Sequence, residues 1–395
     1  MGPQEVVAAA EQVVGDLQAN GHRICLDYAG ATVAHHSHES TTAEWVTRFL
    51  DGYFVPSDTS EAQAAIYSTA DDALFTSLQT LASLQPTLEK NQFAHRPLTD
   101  DVALIHTRAT KVTPHEDVYR LLFKRQRRIV LVTSGNLEVT REESMQTLRA
   151  FGKWLLLERG WIPMHSACVA KDGRAICIIG EKASGKTSTL LNLLARNGCD
   201  LVAIDKFLVR DAGSRVEVCG LPGKSGIRIG SAVVHPQVLT WLTSGAAPFF
   251  PHISAEEVQH IAATNTPEQL RNRQEKIHML PTELAELFGT SITPTAPLGF
   301  LLIPVFDLGV DDARLVPADA EQARTMMADC YAGLMSKGEG FLLHFFDLSD
   351  AVLEDRLEGL LSRHLPRAGA YELRQNHTTN EQAAQLVANV VTSGK

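Results

Sequence analysis

Ala175-Ile176-Cys177-Ile178-Ile179-Gly180-Glu181-Lys182-Ala183-Ser184-Gly185-Lys186-Thr187-Ser188-Thr189-Leu190-Leu191 is the stretch from which the fold of this chain can be read. Its first five residues are apolar without interruption and read as a short strand that runs directly into the residues after it. From Thr187 to Asn197 the sequence suits a helix, and Gly198 stands where a left-handed residue closes one. Between strand and helix lies a loop that starts on Gly180 and has its second glycine at Gly185. Strand, glycine loop and helix in that order predict an α/β fold.

Upstream, Met164 to Ala170 reads as one apolar strand, joined through the turn Lys171-Asp172-Gly173 to Ala175–Ile179 as an antiparallel hairpin. Downstream, the strand Leu201 to Ile204 ends on Asp205. After Leu239 a polar, Pro-containing and helical segment reaches Gln274. Strands at Phe300–Val305, Phe341–Phe346 and Tyr371–Leu373 then alternate with helices at Ala318–Met335, Ala351–His364 and Asn380–Val391. The first third carries short strands at Arg23–Asp27, Ala31–His35, Ala65–Tyr67, Leu104–Thr107 and Arg128–Thr133, with helices between. Leu137-Glu138-Val139 reads as another strand, and Thr140 with Glu143 as a capping box for a helix running to about Gly160. That helix is the expected hinge. The domains expected are a smaller α+β domain over 1–150 and an α/β domain over 151–395.

Gly180 to Thr187 fits GxxxxGK[ST] at every required position, in the right strand-to-helix context. The two glycines permit backbone angles that turn successive N–H groups toward phosphate oxygens, and the helix start adds unpaired donors. Gly180, Glu181, Lys182, Ala183, Ser184, Gly185, Lys186, Thr187 and Ser188 are therefore expected to bind a nucleoside triphosphate. Lys186 is expected to reach the β- and γ-phosphates, and Thr187 to ligate Mg²⁺. Asp205, 19 residues after Lys186 at a strand end, is a candidate metal ligand or proton acceptor. His165, 15 residues before Gly180, is a candidate to approach the phosphates. A capping or ion-paired Asp and a hydrogen-bonded core His are the plainer alternatives.

In these residues the chain resembles the HPr kinase/phosphorylase family. Met164-His165-Ser166-Ala167, the loop, and Leu201-Val202-Ala203-Ile204-Asp205 match in order and spacing, with weaker likeness through Lys276-Ile277-His278-Met279-Leu280-Pro281 and the C-terminal strand and helix. The resemblance implies an HPr kinase-like catalytic domain, phosphoryl transfer from ATP with Mg²⁺, a separate N-terminal domain, and catalytic roles for Asp205, His165 and Lys186. Two departures stand out. The family's Asp-Asp pair is Ile204-Asp205 here, so a second carboxylate must come from elsewhere, Glu217 being one candidate. The loop tied to phosphorolysis is replaced by Gly220-Leu221-Pro222-Gly223-Lys224-Ser225-Gly226-Ile227-Arg228, which implies a kinase without phosphorylase activity. Lys224 and Arg228 there are candidates to clamp phosphates or a substrate anion, and Arg228 is counted with the residues expected to bind the nucleotide; a solvated loop is the alternative, as it is for Lys276.

A net charge of −10 argues against nucleic acid or an anionic membrane as the main partner. No apolar stretch is long enough to span a bilayer, and the first residues lack the pattern of a secretory signal. The six cysteines are scattered singly, without metal spacing, and suit a reducing cytoplasm. His35-His36-Ser37-His38 lacks a carboxylate or Cys to complete a metal set, and Phe123 to Arg128 reads as a basic turn. Asn376-His377-Thr378 is a formal glycosylation sequon, irrelevant in a cytoplasm. The expected activity is a kinase for a hydroxyl on a small molecule such as a sugar, nucleoside or amino-acid derivative. A serine kinase acting on a protein or peptide is the second reading, and a regulatory P-loop NTPase the third, although neither NKxD nor a distant Walker B strand is evident. The choice of ATP over GTP, the acceptor and any homo-oligomer stay open.

Overall fold

The computed structural model describes residues 1–393 apart from 84–92, 109–115, 125–127, 182–183, 234, 244–248, 250–252, 267–268, 271–272, 308, 335–338 and 377. The chain is a mixed α/β protein of two compact units. One comprises Met1–Arg159 and Gly333–Asp350, the other Gly160–Ala332 and Ala351–Lys395. No helix among the described residues is long and apolar enough to cross a membrane.

The first unit starts with helix α1 (Pro3–Asn20), which buries Val6, Val7, Ala10, Val14 and Leu17 along one stripe. Then come β1 (His22–Tyr28), β2 (Ala31–Ser37), α2 (Ser40–Leu50), β3 (Val55–Pro56), β4 (Ala64–Thr69), α3 (Asp72–Ala82), β5 (Phe93–Pro97), β6 (Val102–Arg108), β7 (Asp117–Phe123), β8 (Ile129–Ser134) and α4 (Leu137–Glu158). The sheet runs β3-β1-β2-β4-β8-β7-β6-β5, parallel only from β2 to β4 to β8. Strand β7, unread in the sequence, is the antiparallel partner of both β6 and β8.

Leu137–Val139 is helix, not strand. The Asn136 side chain accepts from the backbone N–H of Glu138 and Val139, and this cap outweighs the β-preference of two apolar residues. Thr140, the expected cap, lies one turn inside, where its Oγ1 accepts from the Ser134 N–H at 3.0 Å. Nor does α4 divide the chain. Met145, Leu148, Phe151, Trp154, Leu155, Leu156 and Leu157 are all buried, so the helix is core of the first unit and the boundary falls after Arg159. Phe341–Phe346, expected as a strand of the second domain, instead opens with a 3₁₀ helix, Gly340–His344, within the first unit. Phe345 and Phe346 meet Phe151, and the Glu339 carboxylate pairs with buried Lys153 and accepts from Trp154 Nε1. Burial alone would raise the Glu339 pKa; Lys153, Arg149 and Trp154 hold it below the usual range.

The second unit contains β9 (Ile162–Met164), β10 (Ala167–Lys171), β11 (Arg174–Ile178), α5 (Lys186–Asn197), β12 (Asp200–Ala203), β13 (Phe207–Asp211), β14 (Val216–Gly220), β15 (Ser225–Arg228), α6 (Ile229–Val233), β16 (Lys276–Met279), β17 (Thr295–Phe306), β18 (Arg314–Pro317) and β19 (Gly369–Gln375). Its sheet runs β12-β10-β11-β17-β14-β13-β9, with β19 joined to β17 and β18. Strands β11, β17 and β19 are mutually parallel in that sequence of neighbours. Alternate residues of β11 serve two cores. Ile176 and Ile178 pack with Leu190, Leu191, Leu193 and Leu194 of α5, whereas Cys177 packs with Val202, Leu301 and Ile303. This two-sided burial is what the apolar run before Gly180 demands.

The single strand expected over Met164–Ala170 is two. Strand β9 pairs with β13 and β10 with β11 and β12, so the chain changes neighbours at His165-Ser166. The helix expected over Ala318–Met335 spans Ala320–Asp329, and Met335 lies outside the described residues. The helical reading after Leu239 holds for Pro236–Thr243 and Ala255–Thr264, with much of the intervening segment outside the described residues.

Two buried histidines are expected to make the fold sensitive to acid. His35 in β2 bonds Ser68 Oγ at 2.9 Å, and burial, reinforced by His36, pushes its pKa down to about 3. His36 is also buried, stacked on Tyr67, and no metal-holding group occurs among the described residues. In the second unit burial and Arg196 push His235 down to about 4. Between these values and about 6.5 the unfolded chain binds protons that the folded chain excludes, so stability falls as pH falls through that window. Going from pH 7 to pH 5 is expected to cost about 2 kcal/mol for each histidine. A His35→Gln protein, unfolded in urea at both pH values, should show a pH-dependent loss smaller by about that amount; identical losses would contradict the assignment.

Candidate functional site

The loop between β11 and α5 depends on two left-handed glycines, Gly180 at φ +150° and Gly185 at φ +103°. A Cβ at Gly180 would lie 2.9 Å from Ser184 Oγ. Gly185 caps α5 with no side-chain bond to the first-turn N–H groups, and Ser184 Oγ is buried with no partner among the described residues. Open donors at a helix start are what an anionic group requires. Lys182 and Ala183 lie outside the described residues.

Lys186 Nζ donates to the carbonyls of Gly180 at 2.6 Å and Glu181 at 2.7 Å, which holds the ammonium over the loop. Its pKa is lowered by burial, against the opposing pull of Cys330, Asp205 and Glu181. Thr187, the next residue of α5, is half-buried. Ser188 turns to α6, its Oγ 3.1 Å from Ser231 Oγ.

The break between β9 and β10 positions His165. Its N–H donates to the Cys330 carbonyl at 2.7 Å, while the Ser166 hydroxyl donates to the Ile178 carbonyl. His165 Nε2 lies 3.3 Å from Asp205 Oδ1, both side chains more than half exposed. Strand β10 is antiparallel to both β11 and β12, so β12 ends at the sheet edge where β11 enters the loop. Asp205 therefore sits on the edge that carries Gly180, and it acts electrostatically on Lys186. An exposed pair of this kind is worth about 0–1 kcal/mol, so its geometry serves position more than stability.

Other sequence candidates are placed elsewhere. Ile204 packs against the core around α5. Glu217 pairs in register with Pro297, near the start of β17, whereas the glycine loop meets that strand at Leu302. Its carboxylate pairs with Arg210 at 2.5 Å and Arg215 at 3.0 Å, which hold its pKa down. It is no second carboxylate for the loop. Arg228 ends β15, opposite Lys276 of β16. Asn376 is buried, its Nδ2 donating to the Val310 carbonyl, and His377 lies outside the described residues.

Three residues that sequence reading passed over meet this edge. Cys330 lies against the loop: burial pushes its thiol pKa up, and the Gly180 backbone, Ser166 and Lys186 draw it down. Gln375, at the end of β19, donates from Nε2 to Thr189 Oγ1 at 2.5 Å, and its buried Oε1 has no partner among the described residues. Asp307 directly follows β17, its N–H donating to the Gln375 carbonyl at 3.0 Å. A carboxylate ending an apolar strand parallel and adjacent to the loop strand is the placement the sequence reading missed. The signal was present in Phe300 to Phe306 running into Asp307. Cys330 and Gln375 had no such signal, since only chain packing brings them to the loop.

No protein-family model matches this chain, and no curated protein is detectably similar to it.

Proposed function

We propose that this protein is an ATP- and Mg²⁺-dependent kinase, with an HPr kinase-like catalytic unit, that phosphorylates a hydroxyl on a small molecule. The observation that carries the reading is the glycine loop sharing one sheet edge with Asp205, itself 3.3 Å from His165. Left-handed Gly180 and Gly185, a start of α5 without a side-chain cap, and a Ser184 hydroxyl with no partner among the described residues suit a triphosphate. Thr187 and Asp205 are the residues that would hold Mg²⁺, which neutralises phosphate charge when bound. Lys186 supplies a fixed positive charge where negative charge grows during transfer. Asp205 orients the acceptor hydroxyl and takes its proton as the oxygen bonds to the γ-phosphorus and the bond from that phosphorus to the departing ADP oxygen breaks, and His165 steadies that carboxylate.

The test is a mass-spectrometric screen of metabolite and peptide pools incubated with the protein, ATP and Mg²⁺. A small molecule gaining one phosphate is the expected result. Phosphorylated serine in the peptide pool alone would shift the reading to a peptide kinase. ADP formed with no phosphorylated acceptor in either pool would leave only a nucleotide hydrolase.

A further inference from the structure

The two-stranded sheet of β15 and β16 has one apolar face and one basic face. Ile227, Ile277 and Met279 are buried in the core around α5. Because side chains alternate along a strand, Gly226, Arg228, Lys276 and His278 share the opposite face. Arg228 stands directly opposite Lys276, and Gly226 opposite His278. Like charges in register oppose strand pairing. Neither Arg228 nor Lys276 has an acidic partner among the described residues, and Glu275 beside them pairs with Arg273 at 2.7 Å.

Gly226 makes room within this face. A Cβ there would lie 2.8 Å from Lys276 Cδ, 3.5 Å from Lys276 Nζ and 3.5 Å from His278 Cε1. The Lys276 stem therefore lies across Gly226, with its ammonium and the His278 imidazole close by on the same face. Strand β15 leads directly into α6, where Ser231 meets Ser188 in the first turn of α5. The basic face is one short helix away from the glycine loop. On a chain of net charge −10, this local excess of positive charge is not a general background.

We infer that this face binds an anionic group, carboxylate or phosphate, that the acceptor carries in addition to its reacting hydroxyl. The inference rests on the kinase reading and narrows it to acidic acceptors. Arg228 offers a planar fork and Lys276 a mobile point charge, a combination suited to an oxyanion. It also moves Arg228 from the nucleotide, where the sequence placed it, to the second substrate.

The experiment uses the full chain with its loop saturated by Mg²⁺ and a non-hydrolysable ATP analogue. Inorganic phosphate and malonate are titrated separately by calorimetry, which distinguishes a phosphate site from a carboxylate site. Wild type is expected to bind at least one of them. Arg228→Gln combined with Lys276→Gln should weaken that binding about 10-fold or more, Lys276→Arg should restore most of it, and affinity for the ATP analogue should change less than about two-fold. Gly226→Val, which fills the space without removing a charge, should also weaken the anion. Equal anion affinity in wild type and the double variant would overturn the inference. So would absence of binding by both probes, or a parallel loss of analogue affinity, which would return Arg228 to the nucleotide. If the analogue itself fails to bind wild type, the nucleotide reading has failed, and the same titrations without it still decide the basic face.

Discussion

Lys186→Ala is expected to leave a folded protein that no longer transfers phosphate. Lys186 is half-buried, and its two bonds go to carbonyls of its own loop, so the substitution removes no core packing. What it removes is the one described ammonium held over the glycine loop by both ends of the Gly180-Glu181 dipeptide. A unit charge about 4 Å from a phosphate is worth roughly 1–4 kcal/mol of attraction between aqueous and surface-like dielectrics. A positioned donor that meets growing transition-state charge is typically worth about 10²- to 10³-fold in turnover. Nucleotide affinity should fall about 10-fold or more, and turnover by at least the upper figure, in a protein with unchanged circular dichroism. A folded Lys186→Ala protein with wild-type turnover would remove the loop from the chemistry altogether.

Asp205→Asn is expected to separate a kinase from a nucleotide binder. The substitution keeps the shape and most hydrogen bonding of a side chain that is more than half exposed, so the fold should tolerate it. It removes the charge that His165 faces at 3.3 Å and that acts on Lys186. A hydroxyl is a poor nucleophile until it is oriented and relieved of its proton, and general-base help contributes roughly 10²- to 10⁴-fold. Turnover should therefore drop about 10²-fold or more while nucleotide affinity stays within a few-fold. If Asp205 serves chiefly as a Mg²⁺ ligand, Mg·ATP binding weakens instead and high Mg²⁺ partly restores it. Because Ile204 packs against the core and Glu217 is held by two arginines, Asp307, directly after β17, is the further carboxylate to test at this strand edge. Asp205→Asn combined with Asp307→Asn would then lose the rescue by Mg²⁺. Normal binding and turnover in Asp205→Asn would exclude both roles.

The sequence by itself determined the local geometry around Gly180. Five apolar residues, two glycines at fixed spacing and a helix-compatible run leave one economical arrangement, and strand, loop and helix take it. It also determined that Asp205 comes just after a strand, although β12 stops at Ala203, two residues earlier than expected, and that Gly198 closes α5 in the left-handed region. Such features depend on backbone angles and side-chain period, which neighbours in sequence fix. Tertiary structure decided the rest. That Met164–Ala170 is two strands follows from which partners each half finds, and no local pattern records a change of partner. That Phe341–Phe346 joins the first unit follows from Glu339 meeting Lys153 and two aromatic rings meeting Phe151, contacts nearly two hundred residues apart in the chain. Glu217 lies on β14 and Asp307 directly follows β17; register sets Glu217 beside the start of β17, while the parallel pairing of β17 with β11 puts Asp307 at the end of the sheet where the loop leaves. A single residue's surroundings in a sheet are set by register and strand order, and those are settled by long-range burial rather than by the letters on either side.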